Sequence, residues 1–229
     1  METDAPAQAV VFDLDGTLVD TIGDLAAALN ATLAEHDLPP HSEDAVRTMV
    51  GGGLAKLLER ALAAYGADLE AIGRDDAVKR IFEHYAANPA NASELYPGAK
   101  EVLAALTEAG IPCGICTNKP EAIARDLLEA MGIAKDFGII QGAEAGFPRK
   151  PDPAGLTHVV AALGAAPEAT LMIGDSEVDV KAARAAGLKG VVLVSFGYSV
   201  TPVTELGADT VINHLHELVP ALALVERAQ

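Results

Sequence analysis

Residues 9–17 read Ala9-Val10-Val11-Phe12-Asp13-Leu14-Asp15-Gly16-Thr17. Four apolar residues stop abruptly at an acid, and a second acid follows two positions later, just before a glycine. A short, continuous apolar run closed by a turn signal is the pattern of a strand buried on both faces. Such strands belong to parallel sheets with helices on either side. The i, i+2 spacing sends the side chains of Asp13 and Asp15 to one side of extended backbone. This stretch therefore predicts the fold class and marks one edge of the sheet as acidic.

Outward from it, the second half of the chain repeats the same grammar. The pattern predicts a helix over 97–110, with proline at its start and glycine at its end. It continues with a strand at 111–116, a helix at 121–131, a short strand at 137–140 and a helix at 154–163. A strand at 171–173, a helix at 178–186, strands at 190–194 and 210–212 and a last helix at 215–225 complete it. Strands alternating with helices imply right-handed crossovers and a doubly wound, Rossmann-like α/β parallel sheet.

One block breaks the alternation. Leu25, Leu29 and Leu33 share a helical face, as do Leu54, Leu57, Leu58 and Leu62, and again Val78, Ile81, Phe82 and Tyr85. We read residues 20–93 as a small helical cap inserted after the first strand, and residues 1–19 and 94–229 as the α/β core.

Composition narrows the function. At 229 residues, 50% of them hydrophobic, the chain can bury a substantial core. A net charge of −17 argues against nucleic acid, which requires clustered cations. It argues equally against an anionic membrane surface, and no apolar run reaches the ~20 residues of a membrane span. The first residues lack the basic and apolar segments of a leader, so a cytoplasmic protein is expected, monomeric or homodimeric. Cys113 and Cys116 lie within an apolar strand and point to opposite faces, which reads as structural rather than redox-active. His214 and His216 have no third ligand beside them and read as surface or loop histidines.

In parallel sheets, ligands bind beyond the carboxyl ends of the strands. Asp13 and Asp15 follow the first strand, and Thr117, Asn118 and Lys119 follow the next. Arg149, Lys150 and Asp152 come after the third, across a loop. Gly174, Asp175, Ser176, Glu177 and Asp179 come after the fourth. Carboxylates gathered on one rim repel by roughly 4 kcal/mol per pair at 4 Å and an effective dielectric of 20. A cation relieves that cost. An all-oxygen ligand set favours Mg²⁺ over zinc. A hard ion beside a lysine and a hydroxyl suits phosphate chemistry.

Four stretches carry a family resemblance: Asp13-Leu14-Asp15-Gly16-Thr17, Thr117-Asn118, Lys150-Pro151 and Gly174-Asp175-Ser176-x-x-Asp179. In this order, and at strand ends, they resemble the four motifs of the haloacid dehalogenase-like phosphohydrolases. The resemblance implies that Asp13 attacks phosphorus and forms an aspartyl phosphate. It implies that Asp15 protonates the leaving oxygen and then activates water. Thr117 and the Asn118 amide would hold the phosphate, and Lys150 would neutralise it. Asp13, the Asp15 carbonyl and Asp175 would hold Mg²⁺, with Asp179 supporting that shell.

More narrowly, Val50-Gly51-Gly52-Gly53 ahead of an amphipathic helix, and Ser195-Phe196-Gly197-Tyr198, resemble bacterial phosphoglycolate phosphatases. Glu177-Val178 stand where that family often has arginine-asparagine, and Asp152 where histidine is common. The resemblance implies hydrolysis of a small anionic phosphomonoester, 2-phosphoglycolate first among them, with Gly51, Gly52 and Gly53 of the cap setting specificity. A phosphosugar mutase of the same superfamily is the alternative reading, and a non-catalytic metal-binding module a more distant one.

Overall fold

The structure is a computed structural model that describes residues 7–88, 90–143 and 146–220. The chain divides into two compact units, Met1–Asp20 with Leu95–Gln229, and Thr21–Glu94.

Along the chain, β1 (Ala9–Phe12) and β2 (Val19–Asp20) come first. Four helices follow: α1 (Ile22–Ala34), α2 (Glu43–Arg47), α3 (Leu54–Ala63) and α4 (Arg74–Ala87). Then come β3 (Glu94–Leu95), α5 (Ala99–Glu108), β4 (Cys113–Pro120), α6 (Glu121–Ala130) and β5 (Ile139–Ala143). The chain continues through α7 (Ala154–Ala162), β6 (Thr170–Gly174), α8 (Glu177–Ala185), β7 (Gly190–Val194) and β8 (Thr210–Ile212).

Six strands form one sheet in the order β5-β4-β1-β6-β7-β8, and each neighbouring pair is parallel. This is the doubly wound α/β sheet expected from the sequence. β1 is fully buried, which explains why its four residues are all apolar. On one side of the sheet, Leu156, Val159 and Val160 of α7 and Val180 and Ala183 of α8 pack with Val11, Met172, Val191 and Leu193. Each such side chain contributes roughly 1.5–3 kcal/mol by leaving water, so the strand ends rest on a rigid floor.

Two strands differ from the sequence expectation. β4 continues to Pro120 instead of ending at 116, and β5 covers 139–143 instead of 137–140. Their pairing resumes at Pro120↔Ala143 after a register irregularity beyond Cys116. The polar residues Thr117, Asn118 and Lys119 thus stay in extended backbone, where an apolar-run criterion stops too early. The last predicted helix opens with a 3-10 turn, Leu215–Glu217, and is helical at 218–220. Its remainder lies outside the described residues.

The second unit is helical. Leu25, Leu29 and Leu33 are buried, as are Leu54, Leu57, Leu58, Leu62, Ile81 and Tyr85. The apolar faces read from the sequence therefore point inward, with Val78 and Phe82 at the margin. The buried carboxylate of Asp24 accepts hydrogen bonds from the Ala92 N–H and the Ser93 hydroxyl, and so closes the unit on itself.

Candidate active site

The register of the sheet builds the site. Phe12 is level with Ile115 on one side and Ile173 on the other. The next residues, Asp13, Cys116 and Gly174, therefore lie at one height across the three adjacent chains. β1 is the point from which the strand order runs outward in both directions, the position where open α/β sheets leave a crevice. The Asp13 N–H donates to the Ile173 carbonyl at 2.8 Å, and this bond fixes the backbone at the exit of β1.

Three carboxylates meet there. Asp13, Asp175 and Asp179 each bring an oxygen to within 4.8 Å of the others. Lys150 stands between two of them, with Nζ 2.6 Å from Asp179 and 3.0 Å from Asp13. Burial alone would lower the Lys150 pKa, but Asp13 and Asp179 outweigh it and hold the ammonium above its usual range. Burial pushes Asp13 up to about 6; Lys150 opposes the shift, and Asp179 and Asp15 add to it. Asp175 is also raised, first by burial and then by Asp179 and Asp13.

Asp179 is held in turn. Its Oδ2 accepts from the Ser176 hydroxyl at 2.7 Å and the Ser176 N–H at 3.1 Å, an acid in the first turn of α8 reaching back to the helix start. Gly174 makes room for it, because a Cβ there would lie 2.4 Å from the Asp179 carboxyl carbon.

These residues fit a divalent cation. The donors are all oxygens. Asp13 Oδ1 is buried, and its ion-pair partner is the Lys150 ammonium 3.0 Å away. Three acids face a single lysine, so the ionised cluster lacks two positive charges.

Asp15 takes a different place from the other acids. Its Oδ1 accepts from Lys119 Nζ at 2.7 Å, and the carboxylate cluster is formed without it. Any part it has in holding a metal falls to its backbone carbonyl. Lys119 is the residue to which sequence reasoning gave no role. It was visible as a lysine just past a predicted strand, but its partner lies 104 residues away, just beyond β1, and depends on β4 lying next to β1.

Thr117 is buried, and its hydroxyl oxygen accepts from the Lys119 N–H, which leaves its proton free to donate. The Asn118 side chain is bonded twice to the backbone of Lys150. It donates to the carbonyl at 3.0 Å and accepts from the N–H at 2.8 Å. Its carboxamide therefore positions the loop that carries the lysine.

Gly51, Gly52 and Gly53 lie in the other unit, ahead of α3, and all three have positive φ (114°, 85° and 90°), a region that favours glycine. Arg60 Nη1 donates to the carbonyls of Met49, Val50 and Gly51 and fixes the course of this loop. Both cysteines are buried, as the sequence reading had them; burial raises Cys113 to about 12 and Cys116 to about 11.

An acid at the end of one strand, a neighbouring lysine and a second acid-bearing strand end mark a family. A family model described as haloacid dehalogenase-like hydrolase matches residues 7–187. This chain belongs to that family. Among haloacid dehalogenase-like relatives, the phosphoglycolate phosphatase of Rhodospirillum rubrum is 46% identical over 220 residues, covering 92% of this chain and 89% of the relative. The phosphoglycolate phosphatase of Caulobacter vibrioides is 45% identical, covering 92% and 88%. A crystal structure described as a predicted phosphoglycolate phosphatase from Haemophilus somnus superposes with a TM-score of 0.87 at 30% identity, covering 96% of this chain and 99% of that one. Among the described residues, no helix of this hydrolase is long and apolar enough to cross a membrane.

Proposed function

We propose that this hydrolase cleaves 2-phosphoglycolate to glycolate and phosphate through an aspartyl phosphate on Asp13, with Mg²⁺ in the carboxylate cluster. The observation that carries the reading is Asp13 itself, a buried carboxylate at the exit of β1, with an ammonium 3.0 Å away and Asp175 and Asp179 beside it. The relatives named above support the substrate.

An Asp13 oxygen attacks phosphorus. The bond from phosphorus to the glycolate oxygen breaks, its electron pair goes to that oxygen, and Asp15 supplies the proton. In the second half, Asp15 takes a proton from water, the water oxygen attacks phosphorus, and the bond to Asp13 breaks to release phosphate. One covalent intermediate replaces a single difficult displacement by two easier ones. Thr117 and Lys150 hold the non-reacting phosphate oxygens, and Asn118 keeps Lys150 in place. Asp13, Asp175 and the Asp15 carbonyl would hold Mg²⁺, which supplies positive charge against the charge of the phosphoryl group. Asp179 keeps Lys150 and the start of α8 in position. Recognition of the glycolate carboxylate is assigned to Gly51, Gly52 and Gly53.

The test is phosphate release from a panel of about 50 phosphomonoesters, with Mg²⁺ and with chelator. The expected result is the highest kcat/KM for 2-phosphoglycolate and no turnover in chelator. Preference for another ester by more than tenfold would reassign the substrate. Full activity in chelator would remove the metal.

A further inference from the structure

The stretch Ser195-Phe196-Gly197-Tyr198 has no part in the chemistry above, yet it lies directly on the acid cluster. It follows β7, so it leaves the same edge of the sheet as Asp13 and Asp175. The Tyr198 N–H donates to Asp175 Oδ2 at 2.6 Å. The Tyr198 hydroxyl donates to Asp20 Oδ1 at 2.8 Å, and the residue is only 6% exposed. Tyr198 is thus tied at both ends, by its backbone to the carboxylate and by its ring to the end of β2.

Gly197 sets how near this loop comes. A Cβ there would lie 2.3 Å from Asp175 Cβ, 2.4 Å from Asp175 Oδ2 and 2.6 Å from the Gly16 carbonyl oxygen. Its φ is not in the left-handed region, so the constraint is space and not backbone conformation. Gly16, in the turn after β1, comes equally near the same oxygen: a Cβ there would lie 2.4 Å from Asp175 Oδ2. Asp175 is therefore held between two glycine backbones, with one oxygen bound to an amide. Fixing that oxygen fixes the direction of the other.

The geometry points to residues 196–198 as a positioning element for the metal site: Gly197 and Tyr198 hold the Asp175 carboxylate in the orientation that binds the cation. This rests on the proposed function in one respect, that Asp175 is a metal ligand. Groups that orient metal-binding carboxylates are typically worth 10- to 100-fold in metal affinity.

The experiment is calorimetric titration of the chelator-treated full chain with MgCl₂, for wild type, Gly197→Ala and Tyr198→Phe. Melting of the metal-free proteins and phosphoglycolate hydrolysis are measured alongside. Gly197→Ala is expected to weaken Mg²⁺ binding at least tenfold, with metal-free melting within a few degrees of wild type. Raising Mg²⁺ should recover much of its lost kcat. Tyr198→Phe keeps the amide but frees the ring, and a smaller loss of about three- to tenfold is expected. Mg²⁺ affinity within twofold of wild type in a folded Gly197→Ala overturns the inference and leaves the proposed function untouched. If Gly197→Ala does not fold, Tyr198→Phe decides, and unchanged affinity there overturns it. A wild-type protein that hydrolyses no phosphoglycolate and binds no Mg²⁺ overturns both.

Discussion

Lys119 Nζ lies 2.7 Å from Asp15 Oδ1, and the lysine side chain is 1% exposed against 20% for the aspartate. The acid assigned to proton transfer is therefore oriented by a buried cation from the neighbouring strand. Lys119→Met should leave Asp15 present but free to turn. Misplacement of a reacting group by about 1 Å can cost roughly 100-fold, so kcat for phosphoglycolate should fall by about 10- to 100-fold with KM little changed. Lys119→Arg should restore part of it. A rise in KM with kcat intact would place Lys119 on the phosphate instead.

Asp15→Asn separates the acid from the nucleophile. General acid–base help is worth about 10²–10⁴-fold, and an alkoxide such as that of glycolate needs the proton most. The loss should be large on phosphoglycolate and small on aryl phosphates with good leaving groups. Asp13→Asn should remove activity on both and leave no phosphorylated protein after acid quench. Equal damage by Asp15→Asn to both substrate types would take the proton-transfer role away from it.

The acids also predict how metal binding follows pH. Asp13 in the metal-free protein is raised to about 6, chiefly by burial, so below that pH a proton occupies the carboxylate that a cation needs. Mg²⁺ affinity should fall as pH drops through about 6, approaching tenfold per unit, because each ion bound must displace a proton. Asp175 is raised as well, chiefly by burial, and adds to the effect. Titration of metal-free protein between pH 5 and 8 in buffers of different ionisation enthalpy measures the protons released. Affinity that is flat across that range would exclude Asp13 as a ligand.

Cys113 and Cys116 should be inert in the native protein. Burial raises the Cys116 thiol to about 11 and Cys113 to about 12, so at pH 8 only about one Cys116 in a thousand is thiolate, and the thiolate is the reactive form. A chromogenic disulfide reagent should find almost no thiol within minutes and two after denaturation. Rapid native labelling would show that this strand opens.

Gly52→Val tests the glycine loop. Gly52 has φ 85°, which a β-branched residue adopts only with strain, so the loop ahead of α3 must change. The kcat/KM for phosphoglycolate should fall by about 10- to 100-fold for each charge-assisted hydrogen bond lost. An aryl phosphate without a carboxylate should be affected far less. Equal losses would point to damage to the fold instead.

The strand carrying Asp13 was legible because a run buried on both faces has no polar positions, so its end is abrupt. The same logic located Asp175 after Leu171-Met172-Ile173. It failed at β4, where Thr117, Asn118 and Lys119 stay in the strand after the apolar residues end. It could not say which lysine serves which acid. Lys150 with Asp179 and Lys119 with Asp15 follow from strand order, and strand order is a property of the folded sheet. The Asn118 carboxamide was equally opaque, because its partner is backbone 32 residues away. Gly197 carried no sign in sequence that a carboxylate lies against it.

The central place of β1 has a consequence for synthesis. β1 pairs on both sides with strands made after it, β4 and β6. At translation rates of about 5–20 residues per second, Ile173, the partner of Phe12, emerges roughly 10–30 s after it. For that interval Ala9-Val10-Val11-Phe12 is an apolar segment without a sheet, and the helices of residues 21–94 are completed while it waits. The nascent chain therefore holds a fully buried strand without its partners until β4 and β6 are made. A chaperone that reads short extended apolar segments would find its site at Ala9-Val10-Val11-Phe12.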